Sequence, residues 1–156
     1  MKKIILLVAL LMGCFVFQNA TAQVKVGISV NIDTQPDWGP VGYDHVEYYY
    51  LPDIDTYYYV PKRQYIYLEQ GLWVFRTNLP VRYSNYDIYT GYKVVINEPT
   101  PYRNAEVYRS QYGGYKGRHD QEIIRNSRDS RYSKNRKHPQ HRVWRQSNHR
   151  YKNGRN

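Results

Sequence analysis

Apolar and polar residues alternate with period two from Val24 to Ile32. Val24, Val26, Ile28, Val30 and Ile32 are separated by Lys25, Gly27, Ser29 and Asn31. That alternation predicts a half-buried strand, because successive side chains of an extended chain point to opposite faces. Four shorter runs rich in aromatic and aliphatic residues follow at 46–51, 56–60, 64–68 and 72–76. Turn chemistry separates them: Pro52-Asp53-Ile54-Asp55, then Pro61-Lys62-Arg63, then Glu69-Gln70-Gly71. Gly71 is available for positive φ. Connections this short make neighbouring strands antiparallel. Residues 92–96 form a sixth strand candidate, ended by Pro99 and Pro101. The predicted class is therefore mainly β, a small antiparallel meander of five to six short strands. At most one or two short helical turns accompany it, at residues 83–90 before Gly91 and at 104–111.

Between the first two runs, Pro36, Trp38-Gly39-Pro40 and Gly42 prevent regular structure. This stretch reads as a loop that wraps the sheet, with Trp38 turned inward as an anchor. Within the strands the alternation defines two faces. One would carry Tyr48, Tyr50, Tyr57, Tyr59, Tyr65, Tyr67, Trp73 and Phe75 as a ladder of rings. The other would carry Tyr49, Leu51, Tyr58, Val60, Ile66, Leu68, Leu72 and Val74 as the core side. The ladder is either an exposed aromatic binding face, formed by Tyr48, Tyr50, Tyr57, Tyr59, Tyr65, Tyr67 and Trp73, or a face covered by the rest of the chain. Cover is favoured, because an open aromatic face invites aggregation.

The amino terminus follows a different logic. Lys2 and Lys3 precede an apolar run from Ile4 to Phe17, and Ala20-Thr21-Ala22 supplies small residues before Gln23. This is the pattern of a secretory signal peptide over residues 1–22, cleaved after Ala22. The run is shorter than the roughly 20 apolar residues of a membrane span. Leu11-Met12-Gly13-Cys14 also approximates a lipobox, so a lipid anchor at Cys14 is the alternative. Cys14 is the single cysteine, which leaves a mature chain without disulfides or thiolate metal sites. The expected location is exported, periplasmic or extracellular, with no transmembrane span in the mature chain.

Charge divides what remains. Residues 23–102 hold six Lys/Arg against nine Asp/Glu, a net of −3, while residues 103–156 hold fifteen against four, a net of +11. The expected organisation is a signal peptide at 1–22, a β-rich aromatic module at 23–110 and a basic tail at 111–156. Beyond Ile124 only Val143 and Trp144 are appreciably hydrophobic apart from scattered tyrosines. Such a segment buries too little surface to offset the ordering entropy of about 1–2 kcal/mol per residue, so disorder is expected from about Lys116.

Several short motifs occur in a fixed order. They are Gln35-Pro36-Asp37-Trp38-Gly39-Pro40, Tyr48-Tyr49-Tyr50-Leu51-Pro52-Asp53-Ile54, Gln64-Tyr65-Ile66-Tyr67 with Gly71-Leu72-Trp73, and Gly91-Tyr92-Lys93-Val94-Val95. In this order they resemble a family of small secreted tyrosine-rich proteins of Bacteroidota-type bacteria, over residues 24–118. The resemblance implies a compact exported module. It brings no activity, cofactor or catalytic residue.

Candidate chemistry is sparse. Asp53 and Asp55 are the nearest carboxylate pair, with Glu47 close in sequence. In a Pro-Asp-Ile-Asp turn their expected work is to accept hydrogen bonds from nearby amides, not acid–base catalysis. Two carboxylates are also few for calcium. His138, His141 and His149 cluster in the tail without a cysteine or carboxylate at ligand spacing. No nucleophile elbow or phosphate-cradling glycine loop is present. No enzyme activity, catalytic residue, metal site or cofactor is therefore expected. The stronger signal is Arg118, Arg125, Arg128, Arg131, Arg136, Lys137, Arg142 and Arg145, interleaved with Tyr112, Tyr115, Tyr132, Trp144 and Tyr151. Cations with stacking rings suit polyanions. The expected function is a non-catalytic, envelope-associated binding or structural protein, with an envelope glycan, protein or polyanion as partner. The alternative is a polyanion, nucleic-acid or lipopolysaccharide binder acting through the tail. Export makes an intracellular nucleic-acid role the less favoured form.

Overall fold

The computed structural model describes residues 30–153. The signal-peptide segment, Cys14 and the alternating stretch up to Ser29 lie outside the described residues. The described end of that stretch is not strand: Thr34 and Gln35 donate their amides to the Asn31 carbonyl, which places Ile32 in a turn.

Five strands form one open antiparallel sheet. They are β1 (Tyr48–Leu51), β2 (Thr56–Tyr59), β3 (Gln64–Glu69), β4 (Leu72–Arg76) and β5 (Val94–Ile96), in the order β4-β3-β2-β1-β5. The first four make the expected meander, and β5 returns to pair with β1. Each turn has a local cause. Pro52–Ile54 forms a single 3-10 turn that Asp55 ends in the left-handed region, at φ 48°. Gln70 and Gly71 both take positive φ between the paired Glu69 and Leu72. A two-residue hairpin of this kind matches the twist of its strands.

Register corrects the face assignment of one strand. Tyr48 opposes Tyr59 and Tyr50 opposes Tyr57, as the ladder requires. But Tyr59 opposes Gln64 and Tyr57 opposes Ile66. Opposed residues share a face, so Ile66 joins the tyrosines while Tyr65 and Tyr67 join Tyr49 and Tyr58 on the other side. The four residues between Tyr59 and Gln64 set this parity. A loop one residue shorter or longer would place β3 as the simple alternation suggests.

Both faces are covered over β1 and β2, while at the β4 end Leu68, Leu72 and Phe75 are exposed, so Leu68 and Leu72 are not the core residues that alternation suggests. On the first, Tyr48, Tyr50, Tyr57, Ile66, Val94 and Ile96 pack with Ala105 and Tyr108 of helix α1 (Ala105–Tyr112). A 3-10 turn at Pro101–Asn104 lays Tyr102 against Trp73 and Phe75, with ring centroids 5.7 and 5.5 Å apart. The facing pairs Tyr48–Tyr59 and Tyr50–Tyr57 have centroids 4.7 and 4.9 Å apart. Each such pair adds about 0.2–1 kcal/mol to a small sheet. On the second face Trp38 packs on Tyr49 and Tyr58, at 5.3 and 4.9 Å, beside Val46 and Val60. The expected inward anchor is thus in place. Ile88 and Tyr89 close that face where a single turn joins Asp87 to Gly91.

The basic segment, expected to be disordered from about Lys116, is ordered. It runs through 3-10 turns at Gly113–Tyr115, Ile124–Asn126 and Ser130–Lys134 to helix α2 (His141–Asn153). Its few apolar residues are placed where they count: Ile124 and Tyr132 form a third buried cluster with Ile32. Its backbone also completes the irregular loop. Ile124 and Arg125 donate their amides to the carbonyls of Gly39 and Asp37, at 2.8 Å each, and Val41 donates to Glu122 at 3.2 Å. The Asn135 side-chain Nδ2 donates to the carbonyls of Ile32 (2.9 Å) and Gln35 (2.7 Å). A Pro/Gly-rich loop cannot satisfy its own backbone groups, and the basic segment supplies the partners. Composition averaged over the segment hides this, because the stabilising contacts are made to residues about 100 positions away.

Candidate anion-binding face

The residues named from sequence as an aromatic binding face lie mostly in the interior. Tyr48, Tyr50, Tyr57 and Tyr67 are buried, and Tyr59, Tyr65 and Trp73 are half-buried. Tyr65 and Tyr67 are also on the opposite face from the other five. These rings are a core. Burial raises the pKa of Tyr50 and Tyr57 well above the ordinary phenol value, with the Asp55 charge adding to the effect in both. Burial likewise pushes Tyr65 up to about 12. The Tyr57 hydroxyl is fully buried with no hydrogen-bond partner among the described residues.

Asp53 and Asp55 do not cap their own turn. Asp53 accepts from the Gly117 amide at 2.6 Å and from the Tyr86 hydroxyl at 3.4 Å. Asp55 accepts from the Tyr50 hydroxyl at 3.1 Å and from Arg109 Nε at 2.8 Å. The two carboxylates tie the turn to α1 and to the start of the basic segment. Gly91 sits against the first of these contacts, where an added Cβ would meet the Tyr86 hydroxyl and lie 2.9 Å from Asp53 Oδ2.

The histidines are structural in the same sense. His138 is buried, with Nε2 3.0 Å from the Ser127 carbonyl and Nδ1 accepting from the Gln140 amide. His141 Nδ1 lies 3.0 Å from the Ser133 carbonyl, and His149 is exposed on α2. No group of three or more His, Cys, Asp or Glu residues among the described residues could hold a metal ion. No described helix is long and apolar enough to cross a membrane.

One buried charge has no signature in the sequence pattern. Lys93 is 1% exposed, and its Nζ donates to the Tyr89 carbonyl at 3.3 Å. Desolvation lowers its pKa to about 8, opposed by the charges of Asp87 and Asp53. Its backbone is bracketed by Gln121, which accepts from the Lys93 amide at 3.0 Å and donates to its carbonyl at 2.9 Å. That bracket sits at the residue immediately before β5. Residue alternation places Lys93 on a strand and carries no information on what packs around it.

The eight cations named from sequence divide into two groups. Arg118 pairs with Asp120, and its guanidinium lies 5.1 Å from the ring of Tyr92 and 5.2 Å from that of Tyr115. Arg125 lies 5.0 Å over Tyr89. Arg131 pairs with Asp129 at 2.7 Å and stacks on Tyr132 at 5.0 Å. These three spend their charge within the fold. Arg128, Arg136, Lys137, Arg142 and Arg145 are exposed and form no ion pair among the described residues.

Two clefts collect the free cations. The first, of about 260 Å³, is lined by Arg63, Arg136 and Lys137 with Asp33, Pro36 and Tyr58. The second, of about 390 Å³, is lined by Lys134, Arg136, His141 and Trp144 with Val30, Ile32 and Asp33. Arg136 borders both, so the clefts adjoin. Trp144 packs on His141 with centroids 5.4 Å apart, at the start of α2. From there Arg142, Arg145 and Arg150 extend along the helix, which contains no Asp or Glu. Arg63 reads in the sequence only as a turn residue. It reaches this face because the β2–β3 loop holds it at φ 55° beside the docked basic segment.

No family model matches the chain, and no curated protein or solved structure matches it significantly.

Proposed function

We propose that this chain is an exported, non-catalytic polyanion-binding protein, in which an aromatic β scaffold carries a basic recognition face. One observation carries the reading. The stretch Ser130 to Asn153 has eight Lys/Arg and no Asp/Glu. It is docked on the scaffold through Tyr132 and Asn135, and His138 braces it internally against the Ser127 carbonyl. Docking matters because a fixed array of cations loses less entropy on binding than a loose one. Trp144 adds a half-buried ring to the array, and rings beside cations suit sugars and other planar or ring-bearing anions. Export through residues 1–22 belongs to the same proposal. It would place the face among envelope and extracellular polyanions.

The test is retention of the full chain on immobilised heparin. Retention is expected to fall steeply with salt, since each neutralised anion releases counterions. The triple variant Arg142→Gln/Arg145→Gln/Arg150→Gln should elute at clearly lower salt with an unchanged melting temperature. Equal elution of the variant and the parent chain would refute the role of α2.

A further inference from the structure

We propose that the smaller cleft is a discrete site for a phosphate monoester carried on a small ring, such as a sugar phosphate. The proposal rests on the reading of the basic segment as an anion-recognition surface and goes further, to one site and one chemical class.

Three features converge there. The first is charge. Arg63, Arg136 and Lys137 against Asp33 leave a net of +2 at the cleft. A phosphate monoester carries about −1.5 to −2 near neutral pH. The three cations form no ion pair among the described residues, so none must be released before a ligand enters. Two are arginines, whose planar donor forks match phosphate oxygens in pairs.

The second feature is a rigid frame. Arg136 and Lys137 follow Asn135, which is 1% exposed and held by the Ile32 and Gln35 carbonyls. Asn135 Oδ1 in turn accepts from the Lys137 amide at 3.0 Å. The next residue, His138, is buried and bonded to the Ser127 carbonyl. The two cations thus project from a segment pinned on both sides. Arg63 arrives from a separate element, the β2–β3 loop. Cations from two elements that are far apart in sequence meet only because the segment has docked.

The third feature is size and wall chemistry. At about 260 Å³ the cleft is roomier than a bare phosphate needs. It sits near the lower end of small-ligand pockets, about 300 Å³ and upward. Pro36 and Tyr58 give it an apolar wall against which the carrier ring can rest.

The experiment titrates the full chain with glucose 6-phosphate by calorimetry, with inorganic phosphate and glucose as separate arms. Glucose 6-phosphate should bind, inorganic phosphate more weakly and glucose not at all. The variant Arg63→Gln/Arg136→Gln/Lys137→Gln should lose at least about tenfold in affinity, as expected for lost charge-assisted hydrogen bonds. All three side chains are exposed, so its melting temperature should stay near that of the parent. A further arm uses phosphatidylcholine vesicles with and without phosphatidic acid. Vesicle binding that the cleft variant abolishes, without glucose 6-phosphate binding, keeps the monoester site but overturns the ring-bearing ligand in favour of a lipid-borne one, and glucose 6-phosphate binding without vesicle binding supports a soluble one. No glucose 6-phosphate or vesicle binding, or equal affinity in the variant, overturns the site. Inorganic phosphate binding as tightly as glucose 6-phosphate overturns the ring-bearing ligand. The Arg142/Arg145/Arg150 variant lines no part of this cleft and should bind glucose 6-phosphate normally. Heparin retention with neither glucose 6-phosphate nor vesicle binding refutes the cleft alone, and glucose 6-phosphate binding without heparin retention refutes the polyanion reading alone.

Discussion

The sheet and the basic segment are stabilised in different ways. The sheet has its own core: tyrosines face tyrosines across β1 and β2, and there each face is closed by neighbouring parts of the chain. The basic segment has no core of its own. It is held by two buried plugs, Ile124 and Tyr132, one buried amide, Asn135, and backbone bonds to the loop that carries Trp38. The contrast teaches that a charged segment too polar to fold alone can still be ordered, provided another region leaves backbone groups to be satisfied. It also separates the two uses of arginine. Beside the sheet, Arg109, Arg118 and Arg125 are consumed by carboxylates and rings. Beyond Asn135 the sequence holds no Asp or Glu, and Arg136, Lys137, Arg142 and Arg145 form no ion pair among the described residues.

The strongest challenge to this contrast is at the shared anchor. Trp38→Ala removes a buried ring that contacts both β1 and β2, and should destabilise the protein by about 3–5 kcal/mol in urea unfolding. Because the loop around Trp38 also receives the basic segment, both regions should loosen together. An unfolding curve in which only the segment is affected would disprove the shared anchor.

Asn135→Ala should act on one region. Losing a buried amide that serves two carbonyls should cost about 1–3 kcal/mol. Hydrogen exchange should quicken at Ile124 and the turns around residues 124–138 while the amides of β1 and β2 remain protected. Equal acceleration in the sheet would mean that the two regions form one cooperative unit.

Smaller effects follow from ionisation. Lys93 binds its proton less readily folded than unfolded, because burial lowers its pKa to about 8. Between about pH 8 and the ordinary lysine value near 10.4, the unfolded chain holds the extra proton, so stability rises with pH. The buried tyrosines act in the opposite sense. Burial raises Tyr50, Tyr57 and Tyr65, so above about pH 10 the unfolded chain releases protons that the folded chain retains, and stability falls. Melting temperature against pH should therefore peak at about pH 10, where the two effects meet. Lys93→Met should flatten the rise and leave the alkaline fall. A rise of equal size in the variant would assign it to another group.

The smallest change is expected at Tyr57→Phe. Its hydroxyl has no partner among the described residues, so removing it should be neutral or slightly stabilising, within about 0.5 kcal/mol. A loss above that would reveal an ordered water bound at the hydroxyl.

Much of the sheet is legible in the order of residues alone. The positions of β1 to β4 follow from their aromatic and aliphatic runs, the hairpin at Gly71 from its tolerance of positive φ, and the burial of Trp38 from its size amid a loop that has to pack somewhere, whereas the alternation that reaches Ile32 ends in a turn. The face of Tyr65 and Tyr67 is not legible, since it depends on the parity of a four-residue connection. Nor are the long-range partners of Asp53 and Asp55, because a turn sequence specifies its own bend and not what docks on it. Most of the exposed cations can be named from composition. The cleft cannot, because Arg63 and Arg136 are 73 positions apart and meet only through the docked loop.

Sequence alone thus determined the four strands of the meander and their turns, which are set by contacts within a few residues, and the separation of charge, which composition fixes. Tertiary structure decided which rings share a face, that the basic segment is ordered, and where its free cations gather. Those outcomes depend on loop parity and on backbone groups left unpaired by a distant loop, and neither is written in the local alternation of residues.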